Sequence, residues 1–353
     1  MKLFGAIALY VAAEDLLRAP RFFEKIKRAF GGKPDLRTGR VRAALEATAV
    51  VEATRDALRK IGVTNAVSLV IDDTVLFHDR EGHADDLGDL FLAFHDNESV
   101  FGQGFRELRL AVEHKEAGLH LVLEIQARPE HPRNAAAARM LISGRIEALT
   151  PRPSEDAEAY RKRAEPVATD PKALELYRLQ FSALVDRVRD ALAGAMPTAR
   201  VEVEVAEPRI VRPAARPGDK VEQSPNDRNY DPYDHYYYSP SWMMADIFLW
   251  SAMFSMMSPP HYAVIDSGNH YQGHTDDPGI QDGPTDAAPA DTDTGSWWDG
   301  DASTGGGADG SESGGAGEVG GDAGGDSGGS WWDDAGGGGD GGGFDGGDFG
   351  GFD

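Results

Sequence analysis

The chain has 353 residues, no cysteine and a formal net charge of −24. Without cysteine it holds no disulfide, no thiolate nucleophile and no cysteine-ligated zinc or iron–sulfur centre. From Asp276 to Asp353 there are 19 acidic residues, 28 glycines and no Lys or Arg, so this tail repels nucleic acid and anionic lipid unless a cation or basic partner intervenes.

Residues 1–36 read as an N-terminal helical arm. Leu3 to Ala13 is an apolar run, with Lys2 before it and small residues at its end. It fits a short cleaved signal, a membrane-associating helix or a helix packed on protein, and it is too short to span a bilayer. Arg21 to Phe30 sets Phe22, Phe23, Ile26 and Phe30 against Arg21, Lys25, Lys27 and Arg28, a basic amphipathic helix suited to a membrane surface, a partner groove or an ordinary surface. Gly32-Lys33 is no phosphate loop, because Lys27 and Pro34 stand where glycine and Ser or Thr belong.

Residues 37–213 read as the folded α+β domain. A helix from Thr38 to Ile61 buries Val41, Leu45, Thr48, Val51 and Leu58, and Gly62 caps it. Strands follow at Ala66–Ile71 and Thr74–Phe77, joined at Asp72-Asp73 by a tight turn without the usual glycine. Leu87, Leu90, Phe91 and Phe94 keep the spacing of a short helix.

The clearest signal is a hairpin. Leu108, Leu110 and Val112 alternate with Glu107, Arg109 and Glu113; Leu119, Leu121, Leu123 and Ile125 alternate with His120, Glu124 and Gln126. Lys115-Glu116-Ala117-Gly118 reverses the chain between them. A hairpin alone is marginal in water, so its apolar face needs a cover. Met140 to Ala148 alternates as a further strand, with Ala135–Ala138 leaving a helix open as the alternative. Ser154 is placed to cap a polar helix reaching Ala164. Asp170-Pro171 starts a helix with Leu174, Tyr177, Phe181, Leu184, Val188 and Leu192 as its buried stripe. Val201, Val203 and Val205 mark the last strand. One echo stands out: Arg55-Asp56-Ala57-Leu58 and Arg189-Asp190-Ala191-Leu192 each end a helix before a strand, a weak match between two ordinary helix–turn–strand units. The predicted sheet is mainly antiparallel, with helices on one face.

Residues 214–275 combine a Pro-, Gly- and charge-rich linker with a Tyr/Trp/Met-rich apolar segment. Trp242 to Met257 is apolar apart from serines and Asp246, too short and too acidic to span a bilayer and too apolar to stand bare. Trp242, Met243, Phe248, Trp250, Met253 and Phe254 form its contact surface, covered by the α+β domain, by a partner or by a membrane interface. Residues 276–353 read as disordered. Ser296-Trp297-Trp298-Asp299 and Ser330-Trp331-Trp332-Asp333 are near-copies, and Phe344, Phe349 and Phe352 punctuate the end. Isolated aromatics on an acidic coil can anchor to a basic, grooved protein partner.

For metals, His78, His83, Asp85 and His95 are weak candidates, since their spacing matches no metal motif; His270, His274, Asp276 and Asp277 form a second weak cluster. Asp291-Thr292-Asp293-Thr294-Gly295 opens like a calcium loop, but Ser296 and Ala302 stand where an EF-hand needs glycine and glutamate. No catalytic motif is present and no cofactor is implied. The sequence therefore points away from an enzyme and toward a cytoplasmic adaptor or assembly protein with no nucleic-acid partner. A peripheral membrane protein held by residues 1–30 and 241–257 is the alternative, and a metal-dependent enzyme the third.

Overall fold

The structure, a computed structural model, describes residues 1–11, 39–79, 104–129, 135–213, 223–225, 227, 229–239, 241–256 and 259–281. The basic amphipathic segment at 21–30, the helix expected at 87–94 and the tail from residue 282 lie outside them.

The hairpin forms where the alternation places it. β4 (Leu108–Glu116) and β5 (Leu119–Ala127) pair antiparallel from Leu108↔Ala127 to Glu116↔Leu119. Ala117 and Gly118 turn the corner at φ 52° and 77°, the positive values a two-residue loop needs to match strand twist. Asp72, in the next turn, also takes a positive φ of 52°, a conformation Asp tolerates better than most side chains.

Around this hairpin stand β1 (Lys2–Tyr10), β2 (Asn65–Ile71), β3 (Thr74–His78), β6 (Ala138–Ile146), β7 (Arg200–Val211), β8 (Ala263–Ile265) and β9 (Tyr271–His274). They form one nine-stranded sheet in the order β3-β2-β4-β5-β6-β1-β7-β8-β9. All pairings are antiparallel except β7 with β8. The sheet thus draws strands from both sides of the expected domain at 37–213.

The N-terminal run is the main correction. Lys2–Tyr10 is not a helix but a strand held between β6 and β7, and Leu3, Ala6, Ile7 and Leu9 are each 0% exposed. A strand buried on both faces reads as an unbroken apolar run, and periodicity cannot separate that from a buried helix.

α1 (Gly39–Lys60) and α3 (Pro171–Ala195) pack side by side on one face of the sheet. Asp170 caps α3 by accepting from Lys172 N, with Pro171 at the first turn. α2 (Ala157–Ala168) is capped by Asp156, which accepts from Ala159 N, rather than by Ser154, whose φ of 61° puts it in the preceding turn. Leu108, Leu110, Leu119, Leu121, Ile142, Phe181 and Leu192 meet in the core beneath the helices, each stabilising the fold by about 1.5–3 kcal/mol on burial. The sequence echo has a spatial counterpart. α1–β2 and α3–β7 flank β4-β5-β6-β1 at opposite ends, with β2 and β7 running in opposite directions, as a two-fold between β5 and β6 would place them.

Three more helices complete the described chain: α4 (Pro232–Tyr237), α5 (Ser241–Phe254) and α6 (Pro278–Gln281). α4 lies on the opposite face of the sheet, over β5 and β6. Gly144 of β6 sits where a Cβ would run into the His120 carbonyl oxygen and the Leu121 backbone. Gly144→Ala is therefore expected to destabilise the fold by about 2–3 kcal/mol. Gly194→Ala, near the end of α3 with no atom within 4 Å of the added Cβ, should stabilise by about 0.5–1 kcal/mol. Urea denaturation of both variants checks the pair.

Candidate functional site: the covered polar face of the sheet

The strands that bury leucines toward α1 and α3 turn a polar set to the other face. Arg109 and Glu113 come from β4, His120, Glu124 and Gln126 from β5, Ser143 and Arg145 from β6, and Lys2 from β1. Water does not bathe this face. Lys2, Arg109, Glu124, Gln126, Ser143 and Arg145 are all buried, Glu124 completely. The cover is formed by residues 230–239 and 241–246 with the loop before β9. Because unpaired buried polar groups are strongly destabilising, the contacts beneath it decide whether the arrangement holds.

Three clusters carry the layer. In the first, the Glu124 carboxylate takes three donors. Gln126 Nε2 donates to Oε1 at 2.8 Å, and the phenols of Tyr230 and Tyr236 both donate to Oε2 at 2.9 Å. Burial pushes the Glu124 carboxyl up from its ordinary value even against these donors and nearby Arg109. The tyrosines at 230, 233 and 236 recur every three residues, which brings them to one side of the strap.

The second cluster is a relay. His120 Nε2 lies 2.7 Å from Glu113 Oε1, and His120 Nδ1 lies 2.9 Å from the Tyr233 hydroxyl. The hydrogen bond from His120, against partial burial and with help from Lys115, brings the Glu113 carboxyl down to about 2. Glu113 is thus an acceptor, Nε2 donates to it, and Nδ1 accepts from Tyr233. Glu113 also receives Asn65 Nδ2 at 2.9 Å. Burial drives the Tyr233 phenol well above its usual range, so Tyr233 holds its proton at neutral pH. The array is a hydrogen-bond chain that ties α4 to the sheet. Tyr237 packs edge-on to the same imidazole at 4.8 Å.

The third cluster is ionic. Lys2 Nζ reaches Asp231 at 3.3 Å, Asn269 Oδ1 at 2.7 Å and, by a short contact, Asp234. Arg145 Nη1 donates to Asp246 Oδ1 at 3.1 Å, its Nη2 lies 3.8 Å from Asp234, and its guanidinium covers the Trp242 ring at 4.2 Å. Burial opposes ionisation of Asp234, but Lys2 and Arg145 outweigh it and hold its carboxyl below the usual range. Satisfaction is not complete: Ser143 Oγ and the Nε atoms of Arg109 and Arg145 make no hydrogen bond, although Arg109 Nε lies 3.4 Å from Glu107.

Of the residues singled out in the sequence, Trp242 and Met253 are buried, and Phe248, Trp250 and Phe254 are half-buried against the core. Met243 is exposed. The apolar segment is therefore covered on one side by its own domain. His78 ends β3; His83, Asp85 and His95 lie outside the described residues, as do Trp297, Trp298, Trp331, Trp332, Phe344, Phe349 and Phe352. Among the described residues no group of three or more His, Asp or Glu side chains is placed to hold a metal ion. The second His/Asp cluster is a surface corner. The His261 and His274 rings stack at 4.2 Å, His261 pairs with Asp276 at 2.7 Å, and His270 pairs with Asp266 at 3.0 Å.

The two glutamates give opposite pH signatures. Glu113 ionises more readily folded than unfolded, where its pKa is about 4.3, so its stabilisation is present above that value and lost as pH falls toward about 2. In His120→Phe this acid limb is expected to shrink in urea midpoints taken from pH 2 to 6, because the folded Glu113 carboxyl moves back toward its ordinary value. Glu124 ionises less readily folded, so its contribution is full at low pH and is lost as pH rises. Glu124→Gln keeps an acceptor for both phenols. It should be more stable than the parent at pH 8, with the gap closing below about pH 4.3. Glu124→Leu strands two buried hydroxyls and should lose about 2–4 kcal/mol.

No protein-family model, no curated protein and no solved structure matches this chain.

Proposed function

We propose that the chain is a non-catalytic adaptor or assembly protein, with a folded body that presents an acidic, Trp- and Phe-bearing tail to a basic protein partner. The observation that carries this proposal is the tail sequence. It holds 19 acidic residues without one Lys or Arg, two Ser-Trp-Trp-Asp copies, and Phe344, Phe349 and Phe352 near its end. Large aromatics supply most of the binding energy where they enter pockets. The surrounding acids steer a basic surface into contact and exclude nucleic acid. The covered sheet face favours the same view, because its acids are engaged with the body's own donors and bases.

The cytoplasm, where a cysteine-free chain is at no disadvantage, is the proposed compartment. No helix of the described residues is long and apolar enough to cross a membrane. The peripheral-membrane alternative needs residues 1–30 and 241–257 to meet lipid. Lys2–Tyr10 is an interior strand, and Trp242 and Asp246 are tied to Arg145, so these parts of that anchor are engaged within the body; residues 21–30 lie outside the described residues. The metal-enzyme alternative gains no observation.

The full chain and a variant with Trp297, Trp298, Trp331 and Trp332 all changed to Ala, each tagged and expressed in the source cells, provide the test. Partners retained in moderate salt are expected with the first and at least about tenfold depleted with the second, since each lost anchor removes more than about 1 kcal/mol. An unchanged partner set in the four-Trp variant would overturn the proposal.

A further inference from the structure

α5 is apolar nearly all round, and the fold covers only one side of it. Trp242, Ala245, Leu249, Ala252 and Met253 point inward and are buried. On the outside, Met243 is 37% and Ile247 39% exposed, and the same side continues through half-buried Trp250 to exposed Ser251 and half-buried Phe254. Such a stripe is open to an occupant.

Its size limits the choice. Fourteen residues make a helix about 21 Å long, and a stripe about 10 Å wide along it offers a few hundred Å² at most. A stable pair of separate chains needs about 800 Å² per partner, so neither a second copy nor a free protein is held here by this surface alone. A tethered segment faces no such limit, because a short flexible link raises its effective concentration to roughly millimolar.

The chain supplies such a segment close by. After β9 it is fixed to the loop that leaves α5: Thr275 N–H donates to the Tyr262 carbonyl at 3.0 Å, and Tyr262 N–H donates to Thr275 Oγ1 at 3.1 Å. Ile280 of α6 is buried. Thr275 Oγ1 also donates to the Pro260 carbonyl, and Pro260 follows Phe254 by six residues, so this part of the chain is held within about 22 Å of the end of α5. Trp297 and Trp298 follow Gln281 by sixteen and seventeen residues. Residues 282–296 hold four Asp, two Pro and two Gly, and a flexible coil of that length has an r.m.s. reach of roughly 22 Å, comparable to the length of α5. The chemistry matches as well, since indole rings pack well on thioether and branched aliphatic surface.

We propose that the outer face of α5, centred on Met243 and Ile247, is an intramolecular docking surface for the Trp297–Trp298 pair. Docking there shields both indoles and holds the proximal Ser-Trp-Trp-Asp copy against the body until a stronger ligand draws it away. The contact requires no external partner, so it stands or falls separately from the adaptor proposal.

The absence of cysteine makes the test direct. A nitroxide on Ser251→Cys, at the exposed side of α5, is the sole label in the full chain. The indole N–H resonances of Trp297 and Trp298, assigned by single Trp→Phe changes, are expected to be lost relative to the reduced, diamagnetic sample. Adding Ile247→Asp, a change at an exposed position that leaves the inner face of α5 intact, should restore them. Full-intensity resonances in the labelled parent would overturn the proposal. So would a loss that persists in the Ile247→Asp variant, or one seen only when label and isotope sit on different chains, which would assign the stripe to a second copy.

Discussion

Two buried ion-pair groups, Lys2 with Asp231 and Asp234 and Arg145 with Asp246, fix the arrangement of the rest. Lys2 and Asp234 lie 232 residues apart, so the contact joins the first strand to the last third of the described chain. Charges taken from water are favourable only when geometry and extra hydrogen bonds compensate, and losing one partner of such a pair destabilises by about 3–5 kcal/mol. Here Asn269 adds a third ligand to Lys2, and Trp242 covers Arg145. An apolar substitute could match the stability, but it would not define where the strap sits. The charges fix its register: Asp231 and Asp234 bracket one turn of α4, and Asp246 sets the first turns of α5.

That register has a consequence for the whole sheet. A mainly antiparallel sheet usually buries one face and wets the other. Here the long helices take one face and the strap takes the other, so β1, β5 and β6 are interior on both sides. His120, Glu124 and Arg145 would be ordinary surface residues without the strap. Beneath it they become a hydrogen-bonded layer in which a missing donor is far more damaging than at a surface. The strap also explains the place of α5. Trp242 closes the polar layer, while Leu249, Ala252 and Met253 join the main apolar core, so a single helix passes from one environment to the other and leaves its third side bare.

Local pattern was enough for the hairpin, for α1 and α3, and for β2, because their signals lie within twenty residues of one another. It misled for Lys2–Tyr10, since a central strand with both faces covered has no alternation to detect. It placed the cap of α2 at Ser154, two residues before the side chain that does the capping, because two candidate acceptors stand close together and only backbone conformation separates them. The polar layer had no local signal. Glu124 meets Tyr236 and Tyr230 across 112 and 106 residues, and an alternating strand looks the same whether its polar side faces water or a cover. The regular spacing of Tyr230, Tyr233 and Tyr236, beside aspartates at 231 and 234, was the one trace of it, and composition only grouped those tyrosines with the apolar segment that follows.

The distribution of charge separates the two parts of the molecule more sharply than any boundary in the sequence. Within the body, acids find donors: Asp231, Asp234 and Asp246 meet Lys2 and Arg145, Glu113 meets His120 and Lys115, and Glu155 meets Arg163 at 2.6 Å. The tail has no such option, because it contains no base of its own and carries −19 of the chain's −24. Self-repulsion extends a chain of that kind, and only cations or a basic surface from elsewhere can relieve it. Its aromatics are neutral and meet no such barrier. In the proposed docking the nearest indoles return to the body, while the acids of the same coil keep their charge in water.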